Sequence, residues 1–301
     1  MNTRRILLFA CALSLLGLSA SFAQAEAQGR KFFGKGAPFT LEELPAGKLK
    51  TQLQALDPEA RGKAMQWLHT FSFEEFDAAR HLRVDPTGGI FTVCADTDGC
   101  YEGHVHPPTK PAAANAPSDA QAPLAESGSL DKSAPAATPE VAAASVSVNS
   151  PPAYHSKPGA TRFIYLDFNG GTVSGTAWNS GGNILRPKVW SQDGDRTTFN
   201  DEEQLWMKRV WERVAEDYAP FDIDVTTDVA YDPVNYTGDK NKVAWTIICE
   251  TTDANGVALP HNGSGGVAYV GVFGSGSFYS TYQPAWVTST NGGGNESTIA
   301  E

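Results

Sequence analysis

The segment from Asn200 to Asp228 combines a complete set of helix boundary signals with a strand pattern directly after it. Asn200 can cap the first turn of a helix while the Glu203 side chain reaches back to the cap. Apolar side chains then recur at three- and four-residue spacing, at Met207, Val210, Trp211, Val214, Ala215 and Tyr218. Pro220 stops the helix, and apolar and polar residues alternate from Phe221 to Thr226. The segment predicts a helix that packs by one face on a sheet.

Four more strand patterns accompany this unit. With the strand at Phe221, the predicted strands lie near residues 163–168, 221–226, 242–250, 265–274 and 283–289. The glycines in and directly after the fourth pattern, Gly265, Gly266, Gly271, Gly274 and Gly276, favour a bulged edge or a close approach by another backbone. The sequence therefore predicts an α+β fold, with a twisted, mostly parallel five-stranded sheet and one central helix.

The amino terminus has the pattern of an export signal. Arg4 and Arg5 precede the apolar run Ile6–Leu18, and small residues at Ala23 and Ala25 offer cleavage sites. We assign residues 1–25 to a signal peptide and expect a secreted protein, either extracellular or periplasmic. The run is too short to span a bilayer, so no membrane anchor is expected within this chain.

The formal net charge of −11 limits the possible partners. An acidic surface repels phosphate backbones, which argues against nucleic acid. Asp96, Asp98 and Gly99 are similar to part of a calcium loop, but further oxygen ligands and a closing Glu are missing from the series. A calcium ion is therefore a possible ligand, but a plain acidic turn is the simpler interpretation. Separately, we expect the protein to be a monomer.

Two segments precede the predicted sheet. Residues 26–103 read as a small helical unit, with helices starting at Asp57 and Ser72 and a strand at Ile90–Val93. Residues 104–160 are dominated by Ala, Pro and Ser and predict a disordered linker. Either the first unit is a propeptide that is cut from residues 161–301, or the linker tethers two permanent domains.

Several residue pairs could carry chemistry or crosslinks. Cys94 and Cys100 are close enough in sequence for a disulfide, with free thiols as the alternative. His104 and His106 alternate as metal ligands on a strand would, but exposed histidines explain them equally well. Asp222 and Asp224 could form the carboxylate pair of a glycosidase, yet Thr226 stands where the acid is needed, so we interpret them as solvated carboxylates on a strand face.

The sequences "RFIYLDFNGG", "RVWERVAEDYAPFDIDVTTD" and "GGVAYVGVFG" resemble a secreted bacterial branch of the metzincin-type zinc metalloproteases. The resemblance covers nearly everything after Thr161, and the order of elements is similar to the upper half of the catalytic domain. It implies a precursor of a zinc-dependent endopeptidase that acts on protein or peptide substrates. In that family a glycine-flanked edge strand pairs with the substrate. Carried over here, the substrate-binding residues are Gly266, Val267, Ala268, Tyr269, Val270, Gly271 and Val272.

The family's chemistry also needs a His-Glu-x-x-His helix that holds zinc. None of the six histidines begins that motif, so no catalytic or metal-ligating residue is assigned within this chain. Because Asn295 can cap a helix that has no stop before Glu301, we expect the reading frame to continue and to place the zinc ligands beyond Glu301. The alternative from another functional class is an extracellular, non-catalytic binding or adhesion module on the same sheet.

Overall fold

A computed structural model describes residues 31–36, 40–94, 144–179, 182–260, 262–274, 280–290 and 299–300. The helices are α1 (Lys48–Ala55), α2 (Pro58–Leu68), α3 (Glu75–Arg80) and α4 (Asp201–Tyr218). The strands are β1 (Phe32–Phe33), β2 (Phe73–Glu74), β3 (Leu82–Val84), β4 (Ile90–Cys94), β5 (Val146–Ser147), β6 (Arg162–Asp167), β7 (Thr198–Phe199), β8 (Ile223–Thr226), β9 (Val243–Cys249), β10 (Gly266–Tyr269) and β11 (Ala285–Thr288). Short 3₁₀ turns span Leu41–Glu43, Ala177–Asn179, Val229–Tyr231 and Lys240–Lys242.

Helix α4 forms as its boundary signals predict. The Asn200 carboxamide accepts from the Glu203 backbone N–H at 3.0 Å, and the Glu203 carboxylate accepts from the Asn200 N–H at 3.0 Å. The side chains of Met207, Val210 and Val214 are buried against the sheet. The predicted helix, its capping box and the burial of these three residues are therefore confirmed, whereas Tyr218, predicted on the same face, is 37% exposed.

The main sheet has seven strands in the order β3-β4-β10-β11-β9-β6-β8. Strand β6 pairs in parallel with β8 and β9, and β9 pairs in parallel with β11. The pairings of β10 with β11, of β10 with β4 and of β3 with β4 are antiparallel. The α+β class is confirmed. The five predicted strands belong to a larger, mixed sheet, because β3 and β4 of residues 82–94 join it. The strand at Ile90–Val93 was predicted, but its place in this sheet was not, and β3 was not predicted.

Two apolar cores lie on opposite faces of this sheet. One, which we call the α4 core, joins the buried face of α4 to alternate residues of β6, together with Val225, Ile248 and Ile299. The other joins the opposite face of the sheet to α1, α2 and the aromatic residues around β10. The amino-terminal unit, residues 31–94, thus shares a core with the predicted catalytic-type domain and is not a separate compact body. The predicted boundary at residue 103 therefore does not separate two packing units.

Within the amino-terminal unit, the boundary signals have mixed outcomes. Asp57 caps α2 by accepting from the Glu59 and Ala60 N–H groups at 2.9 Å, as predicted. The second helix starts two residues later than predicted: its cap is Glu74 instead of Ser72, and Asp77 accepts from the Glu74 N–H at 3.0 Å. The Ser72 start is wrong because Phe73 and Glu74 are held in strand β2 by pairing with β1. Helix α1, which lacks a capping side chain, was not predicted.

The predicted linker ends earlier than expected. Residues 144–160 are part of the folded domain: β5 pairs with β7, and the backbone of Tyr154 and Ser156 bonds to Thr227 and Val225 beside β8. These residues are poor in aromatic side chains, but their main-chain hydrogen bonds complete the outer edge of the sheet. Such bonds cannot be predicted from amino-acid composition, because every residue carries the backbone groups that form them. Residues 104–143 and the predicted signal peptide lie outside the described residues.

No helix in the described part of the chain is both long enough and apolar enough to cross a membrane.

Candidate functional site around strand β10

Strand β10, the predicted substrate edge, is paired on both sides. On one side it pairs with β11, and on the other it pairs antiparallel with β4, in the register Gly266↔Cys94, Val267↔Val93, Ala268↔Thr92 and Tyr269↔Phe91. Among the described residues, β10 therefore lies inside the sheet and not at its edge, which agrees with the predicted close approach by another backbone. The amino-terminal unit occupies the edge because β4 offers its own unpaired backbone groups to it.

The seven predicted substrate residues divide into two groups. Gly266, Val267, Ala268 and Tyr269 form β10. Val270, Gly271 and Val272 turn away from the strand, and Gly271 has a φ of 70°, which favours glycine. Val270 still faces the amino-terminal unit: its N–H donates to the Ile90 carbonyl at 3.1 Å, and its carbonyl accepts from Trp67 Nε1 at 2.9 Å.

An aromatic cluster surrounds the end of β10. Its members are Trp67, Phe91, Trp178, Tyr269 and Tyr282. Tyr269 lies at the centre, with ring centroids 4.4 Å from Trp178, 4.7 Å from Tyr282 and 5.7 Å from Phe91. Two members belong to the amino-terminal unit and three to the rest of the chain. The cluster therefore joins the two parts.

Two polar bonds cross the same interface. Tyr269 donates its phenol to Asp85 at 2.8 Å, and Lys63 Nζ donates to the Tyr282 hydroxyl at 3.0 Å. Burial raises the pKa of the Tyr269 phenol, and the neighbouring Asp85 carboxylate raises it further. Tyr269 thus stays a neutral donor at physiological pH. The sequence contains no local signal that links Asp85 or Lys63 to β10.

The described residues cover the sheet face on the α4 side only in part around β9, β10 and β11. Ala244, Thr246, Gly266, Ala268, Ala285 and Val287 are all half-buried there. A cavity of about 250 Å³ lies against this face and is also lined by Gln283. Gln283 is only 7% exposed, and its Oε1 has no hydrogen-bond partner among the described residues.

Two buried carboxylates lie elsewhere on the sheet. Asp224 is 1% exposed and accepts from His155 Nδ1 at 2.7 Å and from the Lys157 N–H at 3.0 Å, which corrects its assignment as a solvated carboxylate. Asp222 is exposed, as predicted. Asp167 accepts from Trp245 Nε1 at 2.8 Å, and burial raises its pKa to about 7. Each carboxylate accepts hydrogen bonds from backbone or ring N–H groups. We therefore assign both carboxylates a structural role.

The cysteines and the predicted ligand sets can be placed only in part. Cys94 is disulfide-bonded, and Cys249 is a buried free thiol whose pKa burial raises to about 12. Cys100, Asp96, Asp98, Gly99, His104 and His106 lie outside the described residues, so the Cys94–Cys100 pairing and the calcium loop stay predictions. Among the described residues, no group of three or more His, Cys, Asp or Glu side chains could hold a metal ion.

The chain matches no family model, no curated protein and no solved structure.

Proposed function

We propose that this chain is the precursor part of an exported, zinc-dependent endopeptidase, in which residues 31–94 cover the strand that binds the substrate. The observation that carries the proposal is the antiparallel pairing of β4 with Gly266–Tyr269. These are the residues to which the resemblance assigns the substrate backbone, and a strand edge that accepts one extended segment can accept another.

The way the edge is covered supports a latent precursor. Besides the backbone pairing, Trp67 donates to the Val270 carbonyl and Tyr269 donates to Asp85. A peptide could reach β10 only after these contacts with the amino-terminal unit are broken. Removal of this unit would therefore be the activating step, as expected for a propeptide.

The open sheet face beside α4 also supports the proposal. The half-buried residues there are mostly small, at Ala244, Ala268, Ala285 and Gly266, so a helix could approach the sheet closely. Ile299 and Ala300 are helical, and Ile299 is buried in the α4 core. A catalytic helix packed next to α4 would cover this face.

The described residues themselves do not fit a zinc ion, since they contain no suitable group of ligands. We therefore derive no step of peptide hydrolysis from them. Their part in the proposed function is to present the substrate strand and to keep it covered.

The test is proteolysis by the natural gene product. We expect casein cleavage that a zinc chelator abolishes, together with a mature amino terminus located after Cys94. The coding sequence beyond codon 301 should contain His-Glu-x-x-His-x-x-Gly-x-x-His within about one helix length. Cleavage that is absent or insensitive to the chelator, or a continuation without this spacing, would favour the extracellular binding module instead.

A further inference from the structure

The side chain of Phe91 fills an aromatic pocket beside β10. Phe91 is 4% exposed, and its ring meets Trp178 edge-on at 5.9 Å and Tyr269 edge-on at 5.7 Å between centroids. Both partner rings belong to the part of the chain that follows the predicted linker. The pocket walls therefore belong to the part of the chain that is proposed to bind the substrate, and the Phe91 side chain of the amino-terminal unit occupies the pocket.

The Trp178 part of the pocket wall has contacts outside β4. Trp178 Nε1 donates to the Pro284 carbonyl at 2.8 Å, which ties the 3₁₀ turn Ala177–Asn179 to the residue before β11. The Trp178 and Tyr269 rings contact each other at 4.4 Å. Neither contact involves a residue of β4, whereas Tyr269 also pairs with Phe91 and donates to Asp85.

A second side chain of β4 has a defined contact on the same face. Val93 lies directly opposite Val267, and both are buried. On the other face, Thr92 and Cys94 lie opposite Ala268 and Gly266, which offer little side-chain surface. Since side chains of a strand alternate between faces, only the residues at the positions of Phe91 and Val93 meet selective surroundings.

We infer that the β10 edge selects extended peptides that run antiparallel to it and carry an aromatic residue followed, two positions later, by a β-branched aliphatic residue. Residues Phe91-Thr92-Val93 occupy this site within the same chain as a substitute for the substrate. This inference rests on the proposed function for its substrate class, whereas the binding preference can be measured without any catalysis.

The test compares two labelled peptides, Gly-Gly-Ile-Phe-Thr-Val-Gly and the same peptide with Ala in place of Phe, by fluorescence anisotropy with the full chain. In a Phe91→Ala chain the internal strand is weakened, so the Phe peptide should bind roughly tenfold or more tightly than the Ala peptide, because only the Phe ring fills the pocket. The wild-type chain should bind the Phe peptide more weakly than this variant does. A matched control, Phe76→Ala on α3, removes a ring outside the pocket and should behave as the wild type.

A milder variant keeps the test valid if Phe91→Ala does not fold. Phe91→Leu preserves most of the apolar volume and should show the same peptide ranking by a smaller factor, and adding Trp178→Leu to it should abolish the ranking. Equal affinity for both peptides, or no binding by a variant with a native circular dichroism spectrum, would overturn the inference. Absence of chelator-sensitive casein cleavage with the ranking intact would count against the proposed function alone.

Discussion

The buried carboxyl group of Asp167 makes stability depend on pH. Because burial raises its pKa to about 7 in the folded chain, its contribution to stability is present below its unfolded pKa and is lost as the pH rises through 7. We expect the free energy of unfolding of the wild type, measured against Asp167→Asn, to fall by about 2 to 3 kcal/mol between pH 5 and pH 8. Urea unfolding of both proteins at the two pH values measures this change.

Asp222 provides the control for this prediction. Its side chain lies directly before strand β8 and is 61% exposed. The Asp222→Asn chain keeps the buried Asp167 carboxyl group, so it should lose stability between pH 5 and pH 8 as the wild type does. A difference for Asp167→Asn that is also independent of pH would contradict the role of burial.

At the scale of the element, the start of α4 depends on the reciprocal bonds between Asn200 and Glu203. Glu203 is fully buried and also accepts from the Gln192 N–H at 2.7 Å, so the cap fastens the preceding loop as well. Asn200→Ala should lower the free energy of unfolding by about 1 to 2 kcal/mol, since the Glu203 N–H loses its acceptor. Urea unfolding measures the loss.

Two matched variants isolate the cap. Asn200→Ser keeps an oxygen acceptor and should restore most of the stability. Asn149→Ala removes an exposed carboxamide from a turn and should change stability by no more than about 0.5 kcal/mol. An Asn200→Ser chain as unstable as Asn200→Ala would indicate that the cap is not the cause.

At the scale of the whole molecule, the amino-terminal unit and the remainder are joined by a shared core as well as by the chain. The contacts include the β4–β10 pairing and the Trp67–Tyr282 ring contact at 4.8 Å. If a protease site is inserted between residues 118 and 119 and cut, the two fragments should elute together in gel filtration. Separation of the fragments under native conditions would contradict the shared core.

A variant tests which contacts hold the fragments together. Trp67→Ala removes a large buried ring and the donor to the Val270 carbonyl. Its cut fragments should separate at a lower urea concentration than those of the wild type, because the loss of a buried Trp costs about 3 to 5 kcal/mol. Lys48→Ala, a change within α1 that leaves the aromatic cluster intact, should not have this effect.

The elements that the sequence predicts well have local signals. Helix α4 has its cap and apolar period, and β6 and β9 have apolar patterns of the right length. The pairing of β4 with β10 has no local sequence signal, because it depends on backbone groups that every residue carries. The burial of Asp224 was missed for a similar reason: His155 and Lys157, which cover it, lie in a segment whose composition predicts a linker.

The β4–β10 pairing also has a consequence for the order of events during synthesis. Trp67 and its acceptor Val270 are separated by 203 residues, so residues 31–94 emerge long before the strand that completes their sheet. Until then, β4 has only β3 as a neighbour and its other backbone edge is open. Contacts between such distant residues form slowly, because the intervening chain must first be brought together at an entropic cost. The sheet is therefore completed late in folding. Until β10 pairs with β4, the open edge of the newly made amino-terminal unit can pair with strands of other chains.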